Sequence, residues 1–98
     1  MDPTDALIHQ PVRLRIMALL WRHRDVSYTR TRDHLGLTDG NLATHIRRLE
    51  EAGLLEARRV LRGRHGFHLR YRITPHGLDA FRHYLNTMRT LLDEAEAS

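Results

Sequence analysis

Cysteine and lysine are both absent from this 98-residue sequence, and it contains no long run of apolar residues. Without cysteine, the chain has no disulfides and no thiolate metal ligands. No apolar stretch approaches the roughly 18 residues of a membrane span, and the N-terminus carries no basic-then-apolar signal. We therefore expect a cytoplasmic location and no membrane partner. Only 6% of the residues are aromatic, which disfavours RNA binding through stacking on unpaired bases.

Arginine is the only source of positive side-chain charge, because the sequence has no lysine. All sixteen basic residues are Arg, and the formal net charge is +4, which favours a polyanionic partner. A chain that uses Arg at every basic position reflects a genome-wide preference for Arg over Lys. The position of an Arg, and not its residue type, must therefore decide whether it contacts that partner. The length predicts one domain, and the 41% hydrophobic and 29% charged shares are those of a globular chain.

The most informative segment runs from Thr38 to Gly53. Thr38 is predicted to cap a helix that Gly53 ends as a left-handed cap. One face of this helix repeats apolar residues at helical spacing, namely Leu42, Ile46 and Leu49. The opposite face is polar, and its candidate base-reading residues are Gly40, Asn41, Thr44, His45 and Arg48. An ordinary amphipathic surface helix is the alternative interpretation.

Two helices are predicted before this segment. The first begins at Pro11 and runs to about Arg24, and its apolar residues cover more than one face, so it is either central to the core or buried by another chain. After a brief strand at 25–28, Thr29 is predicted to cap a second, short helix at 30–34 that Gly36 ends. A short helix, a tight turn and the Thr38 helix form a candidate helix-turn-helix, at about 29–53.

After Gly53 the hydrophobic period changes from helical to two, which predicts two strands joined by the glycine-containing turn Arg62–Gly66. From Arg58 to Arg72 there are six Arg, two His and no acidic residue. Edge protection does not need charges of one sign, so this hairpin, at about 54–74, is interpreted as a phosphate-binding wing. The predicted backbone and wing contacts, including three outside the hairpin, are Arg30, Arg32, Arg47, Arg58, Arg59, Arg62, Arg64, His65, Arg70 and Arg72.

A last helix is predicted at about 75–93, with Thr74 as its cap and Pro75 at its first position. Its apolar residues recur at spacings of three and four, as in a heptad seam. A three-helix core is too small to cover the whole seam. We therefore expect the N-terminal half of the last helix to pack against its own chain and the rest to form the interface of a homodimer. The predicted interface residues are Leu78, Phe81, Leu85, Met88, Leu91 and Leu92.

The order helix, strand, helix, helix, basic hairpin, helix is that of a winged helix. Three segments carry a resemblance to small MarR/ArsR-type transcriptional regulators: HQPVRLRIMALL, LTDGNLATHIRRLEEAGLLEARR and RYRITPHGLDAFRHYL. The resemblance spans almost the whole chain and implies a mainly α fold with a small antiparallel β hairpin. In this winged helix-turn-helix, a three-helix core, a wing and a C-terminal helix form one domain, 1–98. It further implies that the Thr38 helix enters the major groove of double-stranded DNA, and that a homodimeric repressor binds an inverted repeat. The chain is too short for the extra helices with which larger members build a ligand pocket.

Two other functions stay open at this point. The eight histidines suggest a metal-sensing regulator, but His76 and His83 are two turns apart and too distant to share one ion within a single helix. A winged helix could instead bind an acidic protein through its wing. No nucleophile–base set and no glycine-rich phosphate loop is present, so we expect neither an enzyme nor a cofactor, and no metal site is predicted.

Overall fold

The computed structural model describes residues 1–97, apart from the side chain of His65. These residues form five α-helices and one three-stranded antiparallel sheet, which confirms the expected fold class. The helices are α1 (Pro3–Ile8), α2 (Pro11–His23), α3 (Tyr28–Leu35), α4 (Asp39–Glu51) and α5 (Pro75–Glu96). The strands are β1 (Asp25–Ser27), β2 (Leu55–Leu61) and β3 (Phe67–Ile73). Within the described residues, no helix combines the length and the apolar character that crossing a bilayer requires.

Side-chain caps fix where the helices begin. The Thr38 hydroxyl accepts a hydrogen bond from the backbone N–H of Asn41, as predicted. Helix α3 begins earlier than predicted. Ser27, and not Thr29, caps α3 by accepting from the N–H of Arg30, and Asp2 caps α1 by accepting from the N–H of Asp5. In both cases a residue with a short polar side chain and extended backbone directly precedes the helix, which is the geometry that a cap needs.

Helix α2 lies at the centre of the core. Its residues Ile16, Met17 and Leu20 are fully buried, and they share one hydrophobic cluster with the buried face of α4. The central position, one of the two predicted roles of the broad apolar cover, is therefore confirmed. A contact of α2 with a second chain stays a prediction.

The sheet places the wing beside α3. Strand β3 lies in the middle, pairing with β1 on one side and with β2 on the other. The turn between β2 and β3 is closed by a hydrogen bond from the N–H of Arg62 to the carbonyl of Gly66, 2.7 Å long. Gly63 and Gly66 both have positive φ, 58° and 86°, and therefore allow this tight turn. The two strands of the wing and the turn between them lie where the sequence predicts them.

One residue joins the end of α4 to the start of α5. The Thr74 hydroxyl donates to the carbonyl of Gly53 at 2.5 Å and accepts from the N–H of Gly77 at 2.9 Å. The N–H of Thr74 donates to the carbonyl of Leu54 at 3.1 Å. Gly53 has the predicted left-handed backbone, with φ 74°. The α4–α5 junction, defined by Gly53, Leu54, Thr74 and Gly77, is thus closed by three hydrogen bonds.

Helix α5 is covered along its N-terminal half, as predicted, and as far as Met88 in the second half. Phe81 and Tyr84 are buried, and the ring of Phe81 lies 5.5 Å from that of Trp21. Phe81 therefore belongs to the core of its own chain and offers no surface to a partner, which corrects its assignment to the interface. Leu78, Leu85 and Met88 are partly buried against the same core. Leu91 and Leu92 are 48% and 60% exposed.

Candidate nucleic-acid interface

The polar face of α4 is exposed along most of its length. Gly40, Asn41, Thr44 and Arg48 are exposed, while Leu42, Ile46 and Leu49 on the opposite side are buried in the core. Arg47 and Ala43 are exposed beside them. The hydroxyl of Thr44 donates to the carbonyl of Gly40 at 2.9 Å, which fixes the hydroxyl and leaves the methyl group available for apolar contact with a thymine methyl. Four of the five predicted base-reading residues therefore share one accessible surface.

The fifth residue, His45, is half-buried and forms a hydrogen bond with Arg13 of α2. An N–H of the Arg13 guanidinium lies 3.2 Å from Nδ1 of His45. Arginine only donates hydrogen bonds, so Nδ1 is the acceptor and a neutral ring carries its proton on Nε2. Burial, followed by the positive charges of Arg13 and Arg48, lowers the pKa of His45 below its usual value. His45 is therefore a neutral donor through Nε2–H at neutral pH.

Arg13 was not among the residues predicted from the sequence. Its Nε donates to the carbonyl of Leu7 at 2.6 Å while the other end of the guanidinium holds His45. Arg13 thus ties the end of α1 to helix α4. The contact joins residues 32 positions apart, and no local pattern in the sequence could have revealed it.

The two arginines of α3 that are predicted to contact the DNA backbone have different surroundings. Arg30 is exposed, but Arg32 forms ion pairs with Asp33 and Asp39 and lies over the ring of Tyr28. Tyr28 also donates a hydrogen bond to Asp39. The hydrogen bonds from Tyr28 and then Arg32 lower the pKa of Asp39. Arg32 therefore serves first to hold the N-terminus of α4 against α3.

Three of the six wing arginines are paired with acidic residues of the same sheet. Asp25 on β1 accepts from both Arg58 and Arg70, the latter at 2.7 Å, and Glu56 accepts from Arg72. The absence of acids between Arg58 and Arg72 therefore misled the sequence analysis. The acidic partners lie outside that range: Asp25 is distant in the sequence, on β1, and Glu56 is near the start of β2. Arg58, Arg70 and Arg72 are therefore held in ion pairs within the sheet, and their contact with phosphate stays a prediction.

The remaining wing arginines lie toward the tip. Within residues 1–97, no carboxylate pairs with Arg59, Arg62 or Arg64, and all three are exposed. The guanidinium of Arg59 lies 4.7 Å from the ring centre of Phe67 on the opposing strand. The side chain of His65, also predicted here, lies outside the described residues. The uncompensated positive charge of the wing is thus concentrated at its end.

The winged helix DNA-binding domain family has a sequence profile that matches residues 12–92. The chain belongs to this family. An uncharacterised protein from Methanocaldococcus jannaschii is 35% identical over 80 residues, which cover 81% of this chain and 85% of that protein. A transcriptional regulator homologue from Pyrococcus horikoshii OT3 has a solved structure similar to this one. It is 31% identical, with a TM-score of 0.86, and the match covers 92% of this chain and 88% of that one.

More distant structures share the fold of this winged helix protein. Rv0081 of M. tuberculosis is 24% identical with a TM-score of 0.75, covering 97% of this chain and 98% of that one. A structure described as an antimony-specific transcriptional repressor is 22% identical with a TM-score of 0.70, covering 97% and 78%. The predicted likeness to MarR/ArsR-type regulators is confirmed. The family assignment makes this chain a DNA-binding protein and not an enzyme.

Proposed function

We propose that this winged helix protein is a sequence-specific transcriptional regulator that binds double-stranded DNA as a homodimeric repressor. The observation that carries the proposal is the α4 surface. A capped helix buries Leu42, Ile46 and Leu49 and leaves a polar face of short side chains and one Arg exposed. The major groove admits an α-helix whose side chains read base edges, and this face has the size and chemistry for that role.

The wing supplies affinity in this proposal. Its tip carries Arg59, Arg62 and Arg64 without acidic partners among the described residues. Arginine suits phosphate because its fork of donors matches the phosphate oxygens. Arg30 and Arg47, which are exposed on α3 and α4, are the proposed backbone contacts near the major groove. Phosphate contacts of this kind hold the protein in register without reading sequence.

Dimerisation is proposed through the distal half of α5. The protein measures 60 × 26 × 20 Å, and Leu91 and Leu92 are exposed on a helix that continues to Glu96. A two-fold pair of such helices buries the apolar end of each on the other. Two α4 helices related by a two-fold axis match an inverted-repeat operator. Repression then follows from occupation of promoter DNA, which excludes the polymerase.

Selection of bound fragments from a random pool of duplex DNA tests the proposal as a whole. We expect enrichment of a palindromic consensus, with two half-sites whose centres are one or two helical turns apart. Binding that depends on salt but selects no sequence would leave only a non-specific DNA-binding role. Failure to retain any duplex, together with retention of an acidic protein, would favour the protein-interaction alternative.

Arg48→Ala is expected to relax base preference at one position of each half-site. A well-placed Arg contributes about 1–3 kcal/mol of discrimination against the wrong base, so the variant should accept several bases there. Competition binding with single-base variants of the selected site measures the effect. Arg47→Ala is the control, since loss of a backbone contact weakens all sequences alike. A uniform loss in Arg48→Ala would make Arg48 a phosphate contact as well.

Replacing Arg62 and Arg64 together with alanine is expected to reduce the salt dependence of DNA binding. Each lost phosphate contact lowers the slope of log K against log salt concentration by about 0.9, so the pair should lower it by about 1.8. Fluorescence anisotropy at several salt concentrations measures the slope. Replacing Arg82 and Arg89 with alanine removes the same charge from the exposed surface of α5, which lies outside the proposed contact surface. If both double variants change the slope equally, net charge and not wing contact explains the effect.

A further inference from the structure

A cluster of three potential metal ligands lies where α1 meets α5. Nε2 of His83 is 3.2 Å from Oδ2 of Asp5 and 3.4 Å from Oδ2 of Asp2. Each residue contributes one ligand atom, and the three atoms all lie within 4.8 Å of one another. The two aspartates come from the start of the chain and the histidine from α5. Their convergence is therefore produced by the fold and not by neighbouring positions in the sequence.

Asp5 is the unusual member of this cluster. Its side chain is 2% exposed, and its Oδ1 is buried without a hydrogen-bond partner among the described residues. A buried carboxylate is costly unless it is paired or coordinates a metal. One contact with a histidine nitrogen leaves most of its acceptor capacity unused. The carboxylate thus points to a cation that would satisfy it more completely.

The distances from His83 to the two carboxylates suit a tetrahedral ion. With bonds of about 2.0–2.1 Å to nitrogen and oxygen, two ligands of a tetrahedral Zn²⁺ lie about 3.3 Å apart. The two distances from His83 to the carboxylates fall on either side of that value. Imidazole nitrogen favours Zn²⁺ and its first-row neighbours over Mg²⁺ and Ca²⁺, which prefer oxygen ligands alone.

Access to the cluster is one-sided. Asp2 and His83 have half or more of their side chains exposed, whereas Asp5 closes the inner side. The same three residues line a shallow depression together with His76 and Asp79. An ion could enter from the solvent and keep a water molecule as its fourth ligand. One oxygen of Asp2 is already used to cap α1, so only its second oxygen is available for the ion.

We propose that Asp2, Asp5 and His83 form a binding site for one divalent transition-metal ion of the Zn²⁺ class. The site clips α1 to α5 and does not depend on DNA binding. The competing interpretation is a plain ion pair, in which a protonated His83 lies between two carboxylates. A single Nε2–H cannot donate fully to two oxygens, whereas one ion can bond to all three atoms at once.

Isothermal titration of the full chain with Zn²⁺ is the test. We expect one equivalent to bind per chain and to raise the Tm, while the same concentration of Mg²⁺ changes nothing. Asp2→Asn retains the helix cap because asparagine caps as well as aspartate, and His83→Gln alters an exposed side chain. Each variant is expected to lose at least about tenfold in Zn²⁺ affinity, while its circular dichroism stays that of the parent.

A matched control separates this site from general histidine binding. His23→Gln removes an exposed histidine at the end of α2 and is expected to leave the first equivalent of Zn²⁺ unaffected. Co²⁺ bound at the site is expected to give the intense visible absorption of four-coordinate geometry. The proposal is overturned if the parent chain binds no stoichiometric Zn²⁺, or if Asp2→Asn and His83→Gln bind it as tightly as the parent.

Discussion

Replacing Leu91 and Leu92 together with glutamate is expected to convert a dimer into a folded monomer. Both side chains are about half exposed or more within one chain, so the charges cost little there. Between two chains they would lie in an apolar seam, where unpaired charge is strongly unfavourable. Sedimentation velocity measures the change in mass. The monomer should bind a single half-site weakly and lose the preference for a full inverted repeat.

The choice of residues makes this experiment independent of folding. Met88 and Leu85 belong to the same seam, but they pack against the core of their own chain, and charges there would destabilise the protomer itself. Arg82 and Arg89 lie exposed on α5 as well, and replacing both with glutamate provides a control of greater charge change outside the seam. A Leu91/Leu92 variant that remains dimeric would place the interface elsewhere, and the proposed use of α5 would be wrong.

Gly77→Ala is expected to destabilise the protein by about 3 kcal/mol, the upper end of what overpacking usually costs. A Cβ atom at Gly77 would lie 1.9 Å from the carbonyl oxygen of Leu54 and 2.8 Å from a carbon of Ile73. Backbone cannot move aside as a flexible side chain can. Relief would pull α5 away from the α4–α5 junction and weaken the hydrogen bond from Gly77 to Thr74.

Urea denaturation of Gly77→Ala and Gly40→Ala provides a matched comparison. Both glycines occupy the first turn of a helix, but a Cβ at Gly40 meets nothing within 4 Å. Gly40→Ala should therefore be as stable as the parent or more stable by up to about 1 kcal/mol. For a chain of this length, the loss in Gly77→Ala corresponds to a fall in Tm on the order of 10–20 °C. Equal midpoints for both variants would contradict the steric argument.

The sequence was most informative where structure depends on local pattern. The Thr38 cap, the left-handed Gly53, the alternating strand β3 and the Pro75 start of α5 all follow from a few consecutive residues. Periodicity likewise separated the buried from the exposed face of α4. The predicted start of α3 was two residues late, because several short polar side chains compete for the cap where a loop is brief.

What the sequence did not reveal are contacts between distant segments. Asp25 pairs with both Arg58 and Arg70, across 33 and 45 positions, and offsets one of their two charges. Counting charges within the hairpin therefore overstated its free charge. His45 depends on Arg13, and the cluster at His83 depends on Asp2 and Asp5. The spacing of histidines alone argued against a metal site. The additional ligands come from another helix, which only the fold brings near.

The α4–α5 junction couples the position of α4 to the direction of α5. The base of α5 is bonded through Thr74 to Gly53, two residues after the end of α4. A change in the direction of α5 is therefore transmitted to α4, the proposed base-reading helix. Over 22 residues α5 extends about 33 Å, and a tilt of about 10° moves its far end by about 6 Å. In the proposed dimer, the far ends are held together, so the same tilt would instead displace the two α4 helices. Their separation must fit a half-site spacing of about 34 Å, and a few ångströms would then decide whether both can enter the groove.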